Sequence, residues 1–246
     1  RVLFLSTFLA QEPLGIMYLS GALKAAGHET SMIFVPDKDF DKKLTEYNPD
    51  VVAYSFTTGM HTMVLGLNKR VKGLLPNVTS VCGGAHVTVV PEFLAEEGID
   101  AICRGDGEYA FVEFIDRLEA GGDLTTIPSI NYKDAAGVLH ENSPGPLEQD
   151  LEAFGFCDRS IVYEASSFYA DSERKVIKTD RGCPMNCSFC FHHAWKTKVY
   201  KVTNNEYVRR RSVGHVIEEA KRIKADYPLT YVHFLDDIFN INNKWL

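Results

Sequence analysis

Apolar positions in the first 120 residues alternate between two periods. Val2–Leu5, Ser31–Val35, Asp50–Ser55, Thr79–Cys82 and Asp100–Cys103 are short apolar runs that read as strands, and the third, continuous in Val, Ala and Tyr, has the pattern of a strand buried on both faces. Longer stretches with helical spacing separate them. Leu14–Ala26 has Pro13 at its start and Gly27 as its stop, Phe40 and Leu44 stand one turn apart in Phe40–Tyr47, and Met63, Val64, Leu67, Val71 and Leu74 share a face. A weaker helix, Pro91–Glu97, and a strong one, Glu108–Ala120, complete the series. Five strands with helical crossovers predict an α/β fold, a doubly wound, Rossmann-like parallel sheet with right-handed connections.

The alternation breaks from Gly121 to about Ser160. Ser129–Tyr132 and Val138–His140 flank the turn residues Lys133–Gly137 and predict a hairpin. Asn142–Phe156 is rich in Pro, Gly and acid, as in a surface linker. A new strand, Val176–Thr179, opens a second region. There Ser212 stands as an N-cap before a helix with Val213, Val216, Ile217, Ala220 and Ile223 on one face, and a strand follows at Tyr231–Phe234. The expected organisation is a domain over 1–122, a linker with a hairpin over 123–172, and a second domain over 173–246.

Composition narrows the function classes. Of 246 residues, 45% are hydrophobic and 24% charged, which excludes a disordered or fibrous chain. The 26 Lys and Arg against 33 Asp and Glu give a net charge of −7, the wrong sign for a protein built to grip nucleic acid. The long uncharged run Val51 to Asn68 holds four Ser/Thr residues, two glycines and a histidine, and is not a spanning helix. No signal-peptide pattern opens the chain, and a reducing cytoplasm suits its six cysteines. The chain begins without methionine and is expected to be part of a longer protein.

In a doubly wound sheet, ligands bind beyond the carboxyl ends of the strands. Those ends read Thr7–Leu14, Ser55-Phe56-Thr57-Thr58-Gly59, Gly83-Gly84-Ala85-His86 and Gly105-Asp106-Gly107-Glu108. Small residues in three of the four would let a large ligand approach the backbone. The GxGxxG signature of NAD and FAD sites is absent from the first loop, and the third strand ends in Tyr54-Ser55 instead of a receiver-domain aspartate.

Cys82 and Cys103 sit in apolar strand-like runs and read as buried small hydrophobes. Cys183, Cys187 and Cys190 lie within eight residues, on a loop after a strand. Three thiolates this close can hold one soft centre. Zinc would take His192 or His193 as a fourth ligand. An iron–sulfur cube held by three thiolates would keep one iron open for chemistry.

Cys183-x3-Cys187-x2-Cys190, with Phe189 before the last cysteine, resembles the radical S-adenosylmethionine (SAM) signature. LGIMYLSGALKAAGHE, PDVVAYSFTTG, VCGGAHVT and GIDAICRGDGEYAFVEF resemble the cobalamin-binding domain that precedes the radical SAM core in one subfamily. The resemblance implies a [4Fe-4S] cluster on Cys183, Cys187 and Cys190, and SAM contacts from Phe189, Asp236 and Asp237. It implies cobalamin contacts from Leu14, Ser55, Phe56, Thr57, Gly83, Gly84, His86, Gly105, Gly107 and Glu108.

It further implies that the second domain is the start of a (β/α)6 partial TIM barrel whose remaining strands lie beyond Leu246. The Asp-x-His-x-x-Gly cobalt-ligating motif is absent, and residues 7–14 contain no histidine, so no protein histidine is expected below the cobalt. The implied reaction cleaves SAM to a 5′-deoxyadenosyl radical and moves a methyl group from methylcobalamin to an unactivated carbon, or phosphorus, of a small-molecule or natural-product substrate. A flavodoxin or ferredoxin is the implied electron donor, and no membrane or nucleic-acid partner is expected. A cobalamin-dependent radical SAM cyclase or rearrangement enzyme would share these motifs. A methylthiotransferase would need three N-terminal cysteines, where only Cys82 and Cys103 are present. A cobalamin- or zinc-binding module without enzymatic activity is the remaining reading.

Overall fold

The structure is a computed structural model that describes residues 1–7, 11–242 and 244–246. The chain divides into two compact units. The first comprises Arg1–Phe8 and Ala22–Gly145, the second Leu9–Gly21 and Pro146–Leu246.

The first unit is built on strands β1 (Val2–Thr7), β2 (Thr30–Val35), β3 (Val51–Ser55), β4 (Thr79–Gly83) and β5 (Ala101–Cys103). All five are parallel, in the order β2-β1-β3-β4-β5. Helix α1 (Leu14–Ala25) follows β1, and its residues 14–21 belong to the second unit; α2 (Phe40–Tyr47), α3 (His61–Leu74), α4 (Ala85–Val89) and α5 (Glu108–Ala120) follow the later strands. The order reverses between β1 and β3, which is where ligands bind in sheets of this kind. Leu3, Leu5, Val52, Tyr54, Cys82 and Ile102 are buried against Phe40, Val64, Val71 and Leu94 of the crossovers. Val2, Phe4, Val51, Ala53 and Val81, at the intervening positions, are buried as well, and burial of both faces explains why the strand sequences are apolar without alternation.

Two features of this unit differ from expectation. The hairpin is not an appendage of a linker. Its strands β6 (Ile130–Lys133) and β7 (Leu139–His140) extend the sheet antiparallel to β5, giving seven strands. Ile130 and Tyr132 are buried there, so the hairpin covers what would be an exposed edge. The segment expected as a weak helix at Pro91–Glu97 is a 3-10 turn over Pro91–Ala95, preceded by the short α4.

In the second unit, two short helices, α6 (Ser160–Ala165) and α7 (Ser167–Ala170), precede strand β8 (Arg174–Ile177). Strand β9 (Asp180–Arg181), helix α8 (Phe191–Ala194), a π-helical turn (Trp195–Tyr200) and helix α9 (Asn204–Tyr207) carry the chain to β10 (Arg209–Arg210). Helix α10 (Val213–Asp226) and strand β11 (Tyr231–Phe234) complete the unit. Strand β8 pairs in parallel with β11, and β9 pairs antiparallel with β10. Ser212 caps α10, its Oγ accepting from His215 N at 3.2 Å.

The buried stripe of α10 is Val216, Glu219 and Ile223, while Val213 and Ile217 are exposed. The helix is therefore rotated from the face its apolar residues predicted, and an acid occupies its core side. Among the described residues no helix is long and apolar enough to cross a membrane.

Candidate functional site

At the carboxyl end of the parallel sheet, Ser55 stands beside Gly83 in the strand register. The two loops beyond them are laced together through Phe56. Its N–H donates to Gly83 O at 3.2 Å, and its carbonyl accepts from His86 N at 3.4 Å. Gly84 has φ +93°, and a Cβ there would lie 2.5 Å from Phe56 O. Only glycine fits at that position. Gly83 is different, since a Cβ would meet nothing closer than 3.8 Å.

The Phe56 ring is buried and packs on Phe93 and His86 with centroids 5.4 and 5.6 Å away. His86 is also buried, with its Nδ1 3.1 Å from Thr58 Oγ1 and its ring stacked on His61. Both side chains therefore stiffen the loop, leaving Thr57 exposed and Ser55, Gly83 and Gly84 half-buried along the rim. Burial lowers the His86 pKa, and so does the neighbouring His61.

The fourth loop adjoins the third through Gly105 N, which donates to Thr88 Oγ1 at 2.9 Å. Gly105 has φ +87°, Gly107 N-caps α5, and Glu108 is buried in its first turn. Leu14, the first residue of α1, is buried, and residues 8–10 of the first loop lie outside the described residues. A rim of small residues and glycine turns at the reversal of strand order fits the backbone approach a bulky tetrapyrrole with a nucleotide tail requires. A groove of about 610 Å³ at the other end of these strands, lined by Arg1, His28, Asp50, Asn77 and Glu119 among others, contains none of the candidate residues.

In the second unit the cysteine loop hangs from β8, and side chains fix that strand on the edge opposite β11. Glu12 Oε2 accepts from Val176 N at 2.6 Å, and Arg159 Nη2 donates to Val176 O at 2.7 Å. Arg211 Nη1 donates to Lys178 O at 2.9 Å. Glu219 joins the two guanidiniums, 2.7 Å from Arg159 and 2.6 Å from Arg211. A carboxylate and two guanidiniums thus satisfy backbone groups that a neighbouring strand would otherwise pair. Arg209 and Arg211 are 5% and 3% exposed, so both belong to the interior framework of this unit.

Beyond β8 the chain is held by Asp236. Its Oδ1 accepts from Thr179 N at 2.7 Å and Asp180 N at 3.0 Å, and its Oδ2 accepts from Thr179 Oγ1 at 2.7 Å. Asp180 is buried and accepts from Arg210 Nη2 at 2.6 Å across the β9–β10 pair. Burial, and then the charge of Asp236, push the Asp180 carboxyl up to about 6 against the pull of Arg210.

Gly182 has φ +98°, and a Cβ there would lie 2.3 Å from Tyr207 O, so the turn into Cys183 needs glycine. Asp237 faces His192 Nε2 at 3.0 Å and Lys178 Nζ at 3.5 Å, while His192 Nδ1 lies 2.8 Å from Tyr207 Oη. Burial raises the Asp237 pKa, but His192 and Lys178 outweigh it and hold the carboxyl below its usual range.

Cys183 and Cys190 are half-buried, Cys187 is exposed, and all three are free thiols. Cys190 N donates to Cys187 O at 3.1 Å. Phe189 is 92% exposed. Among the described residues no three His, Cys, Asp or Glu side chains converge closely enough to hold a metal ion. The donor set nevertheless fits an iron–sulfur cube in kind, with three uncommitted thiols on a short loop and three ligands in place of four. Of the two imidazoles that could complete a Cys3His zinc site, His192 is engaged by Tyr207 and Asp237.

Sequence reasoning missed Glu12, Arg159, Lys196 and Glu219. Charged residues on apolar faces were their only signal, and a linear pattern does not reveal which partner each one meets.

Comparison with known proteins bears on both units. Residues 1–115 match the B12 binding domain family. An uncharacterized methyltransferase of Pyrococcus horikoshii is 32% identical over 240 residues, covering 94% of this chain and 50% of the relative. The anaerobic magnesium-protoporphyrin IX monomethyl ester cyclase of Synechocystis is 29% identical, covering 72% of this chain and 37% of the relative. The solved structure of TsrM, a radical S-adenosylmethionine methyltransferase from Kitasatospora setae, superposes with a TM-score of 0.72 at 19% identity. That match covers 98% of this chain and 48% of TsrM, and it shows the shared fold. The chain spans about half the length, or less, of the curated relatives it matches.

Proposed function

We propose that this chain, whose residues 1–115 match the B12 binding domain family, belongs to the cobalamin-dependent radical SAM enzymes, and that the whole protein is a methyltransferase acting on an unactivated carbon or phosphorus of a small molecule. The observation that carries this reading is the cysteine loop itself. Three free thiols follow a parallel strand, on a turn where Gly182 packs against Tyr207, in a chain whose other unit ends in the glycine-laced rim of a B12-binding sheet. When bound, the cluster would supply the electron that cleaves SAM and the cobalamin would supply the methyl group.

The chain's own residues bind and orient. Cys183, Cys187 and Cys190 would hold the cluster, and Phe189 would lie against the adenine of SAM. A carboxylate offers about four lone-pair sites, and Asp236 has three engaged by its loop, so one remains for the SAM ammonium. Asp237, held ionised by His192 and Lys178, is the second candidate for that contact.

Ser55, Thr57 and Gly83 line the rim where the cobalamin tail would run, with Phe56, Gly84 and His86 stiffening it. Leu14, Gly105, Gly107 and Glu108 complete the proposed contacts. Residues 7–14 contain no histidine, so that loop would give the cobalt no imidazole. An electron donor such as flavodoxin or ferredoxin and a cytoplasmic location complete the proposal.

Anaerobic reconstitution of the full-length protein with iron, sulfide and hydroxocobalamin, followed by metal analysis, tests the cofactors. About four irons and about one cobalt per chain are expected. Zinc with neither would overturn the reading. The cyclase relative makes ring closure the second reading. A product one methylene heavier than its substrate separates methyl transfer from cyclisation.

A further inference from the structure

Lys196 is 3% exposed, yet among the described residues no carboxylate pairs with it. It sits in the π-helical turn Trp195–Tyr200, directly after α8. Its Nζ donates to three oxygens: Pro184 O at 3.2 Å, Met185 O at 3.4 Å and Asn204 Oδ1. An ammonium has three protons and no acceptor, so three oxygens saturate its hydrogen bonds without neutralising its charge. A buried, uncompensated charge is expensive in a folded protein.

Two of those oxygens belong to residues between Cys183 and Cys187, so the cation is anchored to the backbone of the cysteine loop. Lys196 is the buried residue of a turn whose backbone departs from regular α-helix. Single π-turns of this kind occur frequently at functional sites.

The missing negative charge has a natural source. A cube with three thiolates is anionic, and one-electron reduction adds another negative charge. Cluster potentials respond to nearby charge, hydrogen bonding and burial. We propose that Lys196 is a positioning and charge-compensating residue for the cluster. It shapes the Cys183–Cys187 backbone before loading and favours the reduced cluster afterwards.

This inference rests on the cluster reading above, and the test separates the two. Full-length wild type, Lys196→Met, Lys196→Arg and Lys198→Met are reconstituted anaerobically. Each is measured for iron content, for release of iron to a chelator, and for cluster midpoint potential by redox titration with electron paramagnetic resonance detection. Lys198 is exposed on the same turn, so its substitution removes the same charge without touching the loop.

Lys196→Met is expected to release iron several-fold faster and to show a more negative midpoint potential. Lys196→Arg should restore the potential at least in part, and Lys198→Met should match wild type. Circular dichroism and the urea midpoint serve as the folding control for the second unit, which holds Lys196, and cobalamin uptake as that for residues 1–115. If Lys196→Met takes up cobalamin, loads iron and keeps both the wild-type potential and the wild-type release rate, the inference is wrong. It is wrong as well if Lys198→Met shifts the potential by the same amount as Lys196→Met. If wild type itself loads no cluster, the functional reading fails before this one is reached.

Discussion

Arg159 Nη2 donates to Glu219 Oε1 at 2.7 Å, with the two side chains 6% and 4% exposed. Arg211 reaches the other oxygen of the same carboxylate at 2.6 Å. Glu219 therefore joins two guanidiniums that hold the carbonyls of Val176 and Lys178. Removing one member of such a group leaves buried charge unpaired and costs about 3–5 kcal/mol, whereas an exposed pair contributes about 0–1 kcal/mol. Glu219→Gln is expected to lower the urea midpoint strongly. Arg222→Ala, which breaks an exposed pair with Glu218 on the same helix, should leave it nearly unchanged.

Two carboxyls in this unit give opposite pH dependences. Burial raises Glu219, but Arg159 and Arg211 hold it net below its usual range. Its contribution is present above the unfolded pKa and is lost as pH falls through the lower folded value. Asp180 is pushed up to about 6 by burial and by Asp236. The folded state then binds the proton more tightly, so stability is lost as pH rises from about 4, the unfolded value, towards 6. Asp180→Asn is expected to abolish that downward step while keeping acid unfolding below pH 4. Unfolding free energy measured across this range checks both signs.

Adjacent glycines on the proposed cobalamin rim should behave differently. Gly84→Ala would drive a Cβ to 2.5 Å from Phe56 O at φ +93°, so the lace between the two loops must open. Gly83→Ala meets nothing within 3.8 Å of its new atom. Equilibrium uptake of hydroxocobalamin, followed by absorbance, should fall at least tenfold for Gly84→Ala and change little for Gly83→Ala. Equal losses would place the ligand directly against Gly83.

The cysteines divide by environment. Cys187 is exposed on its loop, whereas Cys82 is fully buried and burial pushes its thiol pKa up strongly. A protonated core thiol is a poor metal ligand. Cys187→Ala should abolish iron loading and SAM cleavage while leaving cobalamin uptake intact, and Cys82→Ala should load iron normally. SAM cleavage surviving in Cys187→Ala would contradict the proposed chemistry.

Legibility in the sequence tracked how local each determinant is. The alternation of apolar runs with helical spacing was enough to place β1 to β5 and their crossovers, because strands buried on both faces leave an unbroken apolar trace. The cysteine spacing was readable because all three cysteines lie on one loop. The hairpin was legible as a hairpin, but not as the sixth and seventh strands, since pairing with β5 depends on contacts distant in sequence. Helix α10 shows the same limit. Val213 and Ile217 belonged to its apolar face by spacing, yet it is Glu219 that is buried, because Arg159, 60 residues away, waits on that side.

By itself, then, the sequence determined the alternation of β1 to β5 with helical segments, the strand β11 after a capped helix, and the residue types available for chemistry, all carried by short-range pattern and spacing. Only the tertiary structure decided which edge of β8 is closed by side chains, that Asp236 holds the turn after β8, and that Lys196 lies buried beside the cysteine loop. Those outcomes depend on which charged groups are excluded from water together. Desolvation is a property of the packed chain, and no periodicity along it records which partners will meet.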